Sequence, residues 1–356
     1  MEVLFIARPN LFTEPGGDTT QLLSTAKYLE KLGVHVDFGI TASGIDYNRY
    51  DLIHFFNIID PEDILGHLLK TGKPSVLSSI YVNYREFDKL YRTGLVGCLS
   101  RFLPYHTIEY LKTLLKFLLK GEKVSSYRYF LWGNKKSIRY ILKRVGHILP
   151  NSESELGRLK KSFGKLPPAT VVVNAIDRDI FFDRDKQPHV KEGVLCVARI
   201  EGNKNQLNLI RAFRKLPYRL TIVGKASANQ KKYYDQCRKE AGDNVLFIDQ
   251  MSQNELVGYY RQAKVHVLPS WFETTGLSSL EAAAMGCNIV VTDKGDVKEY
   301  FGAFAFYCDP ADSNSIADAV TKAMEQATNP LLSEYVLNNY IWEKTATQTL
   351  AAYKKV

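Results

Sequence analysis

Residues 265–291 read VHVLPSWFETTGLSSLEAAAMGCNIVV, and the architecture of the chain follows from them. Val265–Leu268 and Asn288–Val291 are short, β-branched apolar runs, and a helical stretch starts near Gly276 between them. Buried strands joined through a helix indicate a parallel sheet covered on both faces. The same rhythm runs backwards through apolar strands at 193–198, 219–223 and 245–248, with a helix near 205–215. It appears again in the first half, with strands at 3–7, 34–40, 51–56, 75–80, 145–149 and 171–174. A helix from Thr19 to Leu32, ended by Gly33, separates the first two. Two successive units of this kind predict an α/β fold of two doubly wound, Rossmann-like domains.

The boundary is expected in 183–192 (DRDKQPHVKE), which is polar, contains Pro188 and separates the two strand series. This gives domains at 1–183 and 184–336, with a last helical stretch over 337–356 free to pack back on the first.

Composition narrows the class. The chain has 356 residues, 45% hydrophobic and 24% charged, which excludes disordered and collagen-like chains. Cys98, Cys196, Cys237, Cys287 and Cys308 form no C-x-x-C pair and are odd in number. That spacing argues against a zinc site or a disulfide framework and fits a reducing cytoplasm. The N-terminal MEVLFIARPN reads as a first strand rather than a signal peptide. No run of 18 apolar residues is present to span a membrane.

The net charge of +9 is unevenly spread. Residues 1–84 carry 6 basic and 10 acidic side chains, whereas residues 85–144 carry 14 and 4, a net of +10. Within the basic segment Ile108, Leu111, Leu115 and Leu118 fall on one helical face, with Lys112, Lys116 and Lys120 on the other. Tyr127, Tyr129, Phe130 and Trp132 follow. An ordinary surface helix packed on its own domain, and peripheral docking on an anionic membrane surface at its inner face, both account for this pattern. Nucleic-acid binding fits less well, because no recognised module accompanies the basic residues.

Three groups carry chemistry. Gly16-Gly17 lies between the first strand and its helix, where the backbone turns sharply and a helix N-terminus favours an anion. Arg199 and Lys204 follow strand 193–198 at the carboxyl edge of the sheet, where open α/β folds bind ligands, and two cations there suit a diphosphate. The third group is Phe272–Ala284. Glu273 sits in the loop and Glu281 inside the helix, while the amides of Gly276, Leu277 and Ser278 point from the helix start toward a phosphate. The two carboxylates suit sugar hydroxyls.

Together, Glu273-x7-Glu281, Gly16-Gly17, the Arg199 and Lys204 pair, and Val173-Asn174-Ala175-Ile176-Asp177 resemble family-4 retaining glycosyltransferases, over nearly the whole chain. The resemblance implies the GT-B fold, two facing Rossmann-like domains, and transfer of a sugar from a nucleoside-diphosphate sugar. The acceptor would be a glycan or lipid-linked molecule, as in surface polysaccharide or glycolipid synthesis. No cofactor or metal is implied. By the same resemblance Glu281 holds the donor ribose, Glu273 the transferred sugar, and Arg199 and Lys204 the departing diphosphate, while the Gly16-Gly17 loop closes over the donor.

Two positions depart from the family. Tyr81 stands where many members place a His, so that contact falls to Tyr81 or Asn83. Asn205 stands where Gly is common. A nucleotide-sugar epimerase or hydrolase, and a non-catalytic nucleotide-sugar-binding subunit acting through a partner, are the alternatives. Asp177-Arg178-Asp179 and Asp183-Arg184-Asp185 both read D-x-D, but near the expected domain junction rather than after a central strand. His54 and His266, on apolar strands, read as core histidines.

Overall fold

The computed structural model describes residues 1–39, 44–82, 84–90, 92, 94–182, 190–227 and 229–356. The chain divides into two compact units, Met1–Val173 with Glu343–Val356, and Asn174–Trp342.

In the first unit the elements run β1 (Glu2–Ile6), α1 (Gly17–Glu30), β2 (His35–Gly39), β3 (Leu52–Phe56), α2 (Pro61–Lys70), β4 (Ser75–Ser78), α3 (Arg85–Leu90), α4 (Gly94–Phe102), α5 (Tyr105–Lys120), α6 (Arg128–Arg144), β5 (His147–Leu149) and α7 (Glu153–Phe163). The strands form one parallel sheet in the order β2-β1-β3-β4-β5. Leu4, Ile6, Ile53, Phe55, Leu77 and Ile148 are buried in its core.

The second unit contains β6 (Val194–Val197), α8 (Gln206–Phe213), β7 (Leu220–Val223), α9 (Lys231–Glu240), β8 (Val245–Ile248), α10 (Gln253–Gln262), β9 (Val265–Leu268), α11 (Leu277–Ala284), β10 (Asn288–Thr292), α12 (Val297–Phe301), β11 (Ala305–Cys308), α13 (Ser313–Glu325) and α14 (Pro330–Asn339). Its parallel sheet has the order β11-β10-β9-β6-β7-β8. Val194, Cys196, Ile222, Val265, Val267 and Val290 lie at the centre. The expected pair of doubly wound α/β domains is what the chain forms.

The strand orders fix where loops converge. In the first sheet the order reverses between β1 and β3, and in the second between β6 and β9. At such a reversal the two following connections leave in opposite directions and open a crevice at the carboxyl ends of the strands. Arg199 and Lys204 follow β6, and the Glu273 loop follows β9. The topology therefore brings both to the second reversal. Among the described residues, three non-glycine residues have positive φ, Asn57 at 66°, Ile80 at 45° and Asn205 at 61°. All three follow a strand on the carboxyl side, and Ile80, being β-branched, is the most strained.

Some expectations need revision. Residues 171–174 are extended but do not form a full strand. The segment meets the β5 edge through an Ile148–Ala169 bridge and a Val172 amide bond to Pro150 O at 2.9 Å. The units also divide earlier than the expected 183/184. The Asn174 amide donates to the Tyr300 hydroxyl at 3.2 Å, the Ile176 amide bonds Tyr340 O at 3.0 Å, and Phe181 packs buried against Tyr260, so residues 174–182 belong to the second unit. A polar, proline-containing stretch marks a connection, whereas packing changes sides where the last buried side chains change neighbours. Residues 183–189, including the second D-x-D, lie outside the described residues.

The final helix, α15 (Trp342–Tyr353), begins at the second crossing, and its residues from Glu343 onward belong to the first unit. There the Tyr353 hydroxyl lies 2.6 Å from His54 Nδ1, and His54 Nε2 lies 2.9 Å from Ser78 Oγ. His54 is thus a satisfied core histidine, held neutral by burial that lowers its pKa to about 3. All five cysteines are free thiols. Among the described residues, no helix is long and apolar enough to cross a membrane.

Candidate functional site

The reversal between β6 and β9 is built from short-range turns that the local sequence requires. After β6 the chain makes a tight turn through Gly202–Lys204 and enters α8 at Asn205, whose left-handed backbone explains a residue that stands where Gly is common. Asn tolerates that conformation better than most side chains. The Asn205 side-chain amide donates to Pro269 O at 3.0 Å and Pro310 O at 2.8 Å. The Trp271 amide donates to Asn203 O at 2.9 Å. These bonds lock the β6 loop to the β9 loop.

Glu273, almost fully buried, is the centre of this joint. Lys204 Nζ donates to its Oε2 at 2.6 Å and the Ser270 hydroxyl at 2.9 Å. Its backbone is fixed by the β10 loop, where Asp296 N donates to Glu273 O at 2.9 Å. Gly295 has φ of +100°, and a Cβ there would lie 2.1 Å from Glu273 O. Only glycine allows that approach. Gly276, at φ +68°, then turns the chain into α11. The amides of Leu277 and Ser278 in its first turn have no partner within the helix, as at any helix start. They form, with Lys204, a place for an anion.

Glu281 lies one helical stretch further on. Its Oε2 accepts from the Tyr260 hydroxyl at 2.8 Å and its Oε1 from Gln253 Nε2 at 2.9 Å. Burial raises its carboxyl pKa to about 7, against the opposing effect of those two donors. Arg199 is more open. Its guanidinium makes a 3.4 Å contact with Glu201 Oε1 and its side chain is 41% exposed, so it is free to reorient toward a ligand.

The sequence marked Asn174 but not its contact, and it gave no sign of Tyr260 or Gln253. Asn174 Nδ2 donates to Thr275 Oγ1 at 3.1 Å, which brings the Val173–Asp177 segment against the loop between the two glutamates. Its Oδ1 is buried without a partner. Tyr260 and Gln253 hold Glu281. No local spacing announces either, because both come from α10, at least 21 residues away in sequence. His266 is buried beneath the site, with Nδ1 3.3 Å from Ser279 Oγ and its pKa lowered to about 3 by burial. Asp177 caps a local turn, accepting from the Asp179 amide at 3.0 Å.

Gly16, Gly17 and Tyr81 belong to the first unit. Gly16 is the extended residue before α1, at φ −148°, and its amide donates to Thr19 Oγ1 at 3.0 Å. Arg8 ties the loop down, with Nε donating to Asp18 at 2.6 Å, Nη1 to Asn10 Oδ1 at 2.8 Å and Nη2 to Glu14 O at 2.7 Å. Tyr81 turns inward. It is 6% exposed, packs in the core against Phe163, and its hydroxyl donates to Ser162 Oγ at 3.2 Å. That phenol is a packing group within its unit. Its backbone amide and the Ser79 hydroxyl both donate to the buried Glu155 carboxylate, which brackets strained Ile80. Asn83 lies outside the described residues.

A recess of about 330 Å3 beside Gly193, Tyr218, Arg219 and Tyr259 opens at the amino ends of β6 and β7. The loops that carry Lys204 and Glu273 leave the opposite end of the sheet.

The chain is similar to known proteins in sequence and in fold. Residues 177–339 match the family described as glycosyl transferases group 1. A glycogen synthase of Mycobacterium tuberculosis is 27% identical over 229 residues, covering 60% of this chain and 55% of that protein. A D-inositol 3-phosphate glycosyltransferase of Kribbella flavida is 25% identical over 295 residues, 74% of this chain and 69% of that one. Over the first of these, the chain spans little more than half the relative's length. Among solved structures, sucrose-phosphate synthase from Thermosynechococcus elongatus superposes with a TM-score of 0.76 at 15% identity, covering 100% of this chain and 98% of that chain. The Anabaena protein HepE, in complex with UDP and glucose, gives 0.70 at 14% identity over 100% of both chains. The fold is thus the GT-B fold of these solved structures, and residues 177–339 match the glycosyl transferases group 1 model.

Proposed function

We propose that the protein is a retaining glycosyltransferase that moves a sugar from a nucleoside-diphosphate sugar to a glycan or lipid-linked acceptor. The observation that carries this reading is the second-unit crevice, where one sheet reversal collects a cation, two buried carboxyl groups and a helix start. Each matches one part of the donor.

Breaking the bond between the anomeric carbon and the diphosphate oxygen leaves positive charge on the sugar and negative charge on the diphosphate. Lys204, Arg199 and the first amides of α11 offer fixed positive potential at the leaving group, where preorganised donors are worth several kcal/mol. Glu273, pinned by Lys204 and Ser270, presents its remaining acceptor capacity to sugar hydroxyls. Glu281, whose two carboxyl oxygens each accept one bond from Tyr260 or Gln253, has further acceptor capacity for the ribose hydroxyls. The acceptor oxygen then bonds the anomeric carbon and passes its proton to the diphosphate, which departs with the electrons of the broken bond. The solved complexes of HepE with UDP, with UDP and glucose, and with UDP-glucose support UDP as the first nucleotide to try.

The test is a thermal-shift series with UDP, GDP, ADP and CMP, each with EDTA or magnesium, followed by product analysis with the stabilising sugar nucleotide. Saturation at about 100 times Kd should stabilise by about 2.7 kcal/mol. A shift with one nucleotide that survives EDTA, is lost in Glu281→Ala and leads to an α-configured product from an α-linked donor supports the reading. No shift with any nucleotide overturns it. Binding without transfer, rescued by a second protein, would move it to the partner-dependent subunit, a reading that the inward-turned Tyr81 favours.

A further inference from the structure

The basic segment was expected to be either an ordinary packed helix or a docking face, and the structure distinguishes the two. Seven of the seventeen large apolar side chains exposed among the described residues fall within residues 99–131. In α5 only the beginning of the apolar stripe is covered. Ile108 is buried, while Leu118 and Leu119 are 66% and 79% exposed. The inward contacts near the end of α5 come from a different face, where the Phe117 ring lies 6.1 Å from that of Tyr127 and 4.9 Å from that of Phe130. Phe117 thereby joins the end of α5 to the start of α6, where Tyr127 and Leu131 are 72% and 84% exposed. Tyr127 and Leu131 are one helical turn apart, as Leu115 and Leu119 are on α5.

The charges around this edge are cationic and largely uncompensated. Three of the segment's four acids pair with its own cations, Asp88 with Arg92 and Lys112, Glu109 with Lys112, and Glu122 with Lys116. Lys123, Arg128, Lys135 and Lys136 are exposed, and no acidic partner within ion-pair distance is found for them among the described residues. Arg128 and Lys136 both reach the Trp132 ring, at 6.0 and 5.8 Å from its centroid. Indole rings flanked by cations and bare leucines suit the boundary between headgroups and acyl chains.

We infer that the end of α5 and the start of α6 form a docking face for an anionic lipid bilayer, with Leu118, Leu119, Tyr127 and Leu131 inserted and Lys123, Arg128, Lys135 and Lys136 at the headgroups. A second copy of the chain is a poorer occupant, because a two-fold contact would set this cationic edge against itself. A nucleic acid would satisfy the cations and leave the leucines in water. The inference concerns the first unit alone and does not depend on the transferase reading.

The experiment is co-sedimentation of the full chain with phosphatidylcholine vesicles, with and without phosphatidylglycerol, across a salt series. The expected result is binding to the anionic vesicles only, weakening as salt rises. Each cation near such a surface is worth about 1 kcal/mol, about fivefold, so replacing Lys123, Arg128 and Lys136 by Gln should lower partitioning about a hundredfold. Leu118→Ser with Leu119→Ser and Leu131→Ser should abolish binding even at low salt. Both sets change exposed side chains, and an unchanged unfolding midpoint confirms the fold. Equal binding to neutral vesicles, binding to neither, retention on RNA in place of vesicles, or a dimer that the Leu variants convert to monomer would each overturn the inference.

Discussion

Glu62 and Glu281 are carboxyl groups in places where a negative charge is costly. Burial, helped by nearby Asp60, raises the Glu62 pKa to about 8, and one of its oxygens has no hydrogen-bond partner. The other accepts from Thr113 at 2.7 Å. A raised carboxyl pKa stabilises the fold fully below the unfolded value and loses that contribution as pH rises through the folded one. Stability should therefore fall between about pH 5 and pH 8, by a few kcal/mol from Glu62. Glu62→Gln keeps the Thr113 acceptor and should flatten that fall, as urea unfolding across this range would show. A slope equal to wild type would refute the assignment.

For Glu281, with a pKa of about 7, ligand binding moves the other way. The charged acceptor is lost on protonation, so nucleotide affinity should weaken as pH drops through 7. Glu281→Gln should cost about ten- to a hundredfold in Kd, in the range for a charged hydrogen bond, and remove the pH dependence in calorimetry. At this scale residue type and spacing singled out Glu273, Glu281, Arg199 and Lys204, which the fold gathers at one sheet reversal. They gave no sign of Glu155, Gln253 and Tyr260, or of the bond from Asn174 to Thr275, which depend on partners that only folding brings near.

Among elements, the loop after β9 depends on two glycines for different reasons. Gly276 needs its positive φ and would tolerate a Cβ spatially, the nearest atom being Ser279 Oγ at 3.3 Å. Gly295 lacks the space as well, because the Glu273 backbone occupies it. Gly276→Ala should therefore cost about 1–2 kcal/mol of stability. Gly295→Ala should cost more and displace Glu273, lowering kcat more than it raises KM for the donor. Gly33→Ala is the control. It has φ of +80° but nothing within 4 Å of its Cβ, and should lower the melting temperature without touching kinetics. Strands were the legible elements, because short β-branched runs between turn residues allow little else. Helices α3 and α4 were not read, since at six and nine residues they are too short to show a sustained apolar period. The stripe on α5 was read as a helix, but which of its faces is covered depends on α6, a partner outside the pattern.

For the whole molecule, the first unit is discontinuous. Its sheet is encoded by Met1–Val173, yet its core is completed by Glu343–Val356, whose Tyr353 bonds buried His54. Tyr353→Phe should cost about 1–3 kcal/mol, because it leaves a buried ring nitrogen unsatisfied. A fragment of residues 174–342 should fold alone, with a cooperative thermal transition. A fragment of residues 1–173 should melt early or not fold, and recover when a peptide of residues 343–356 is added. Unassisted folding of 1–173 to full stability would contradict this. Sequence marked the two strand series, but it could not show that one is interrupted by the other, since a terminal amphipathic helix fits either core. The interruption has a consequence on the ribosome. The second unit is complete in a single uninterrupted span. The first, although translated earlier, must wait with an unfinished core until residues 343–356 have also been made. During that interval it is the part of the nascent chain that most needs a chaperone.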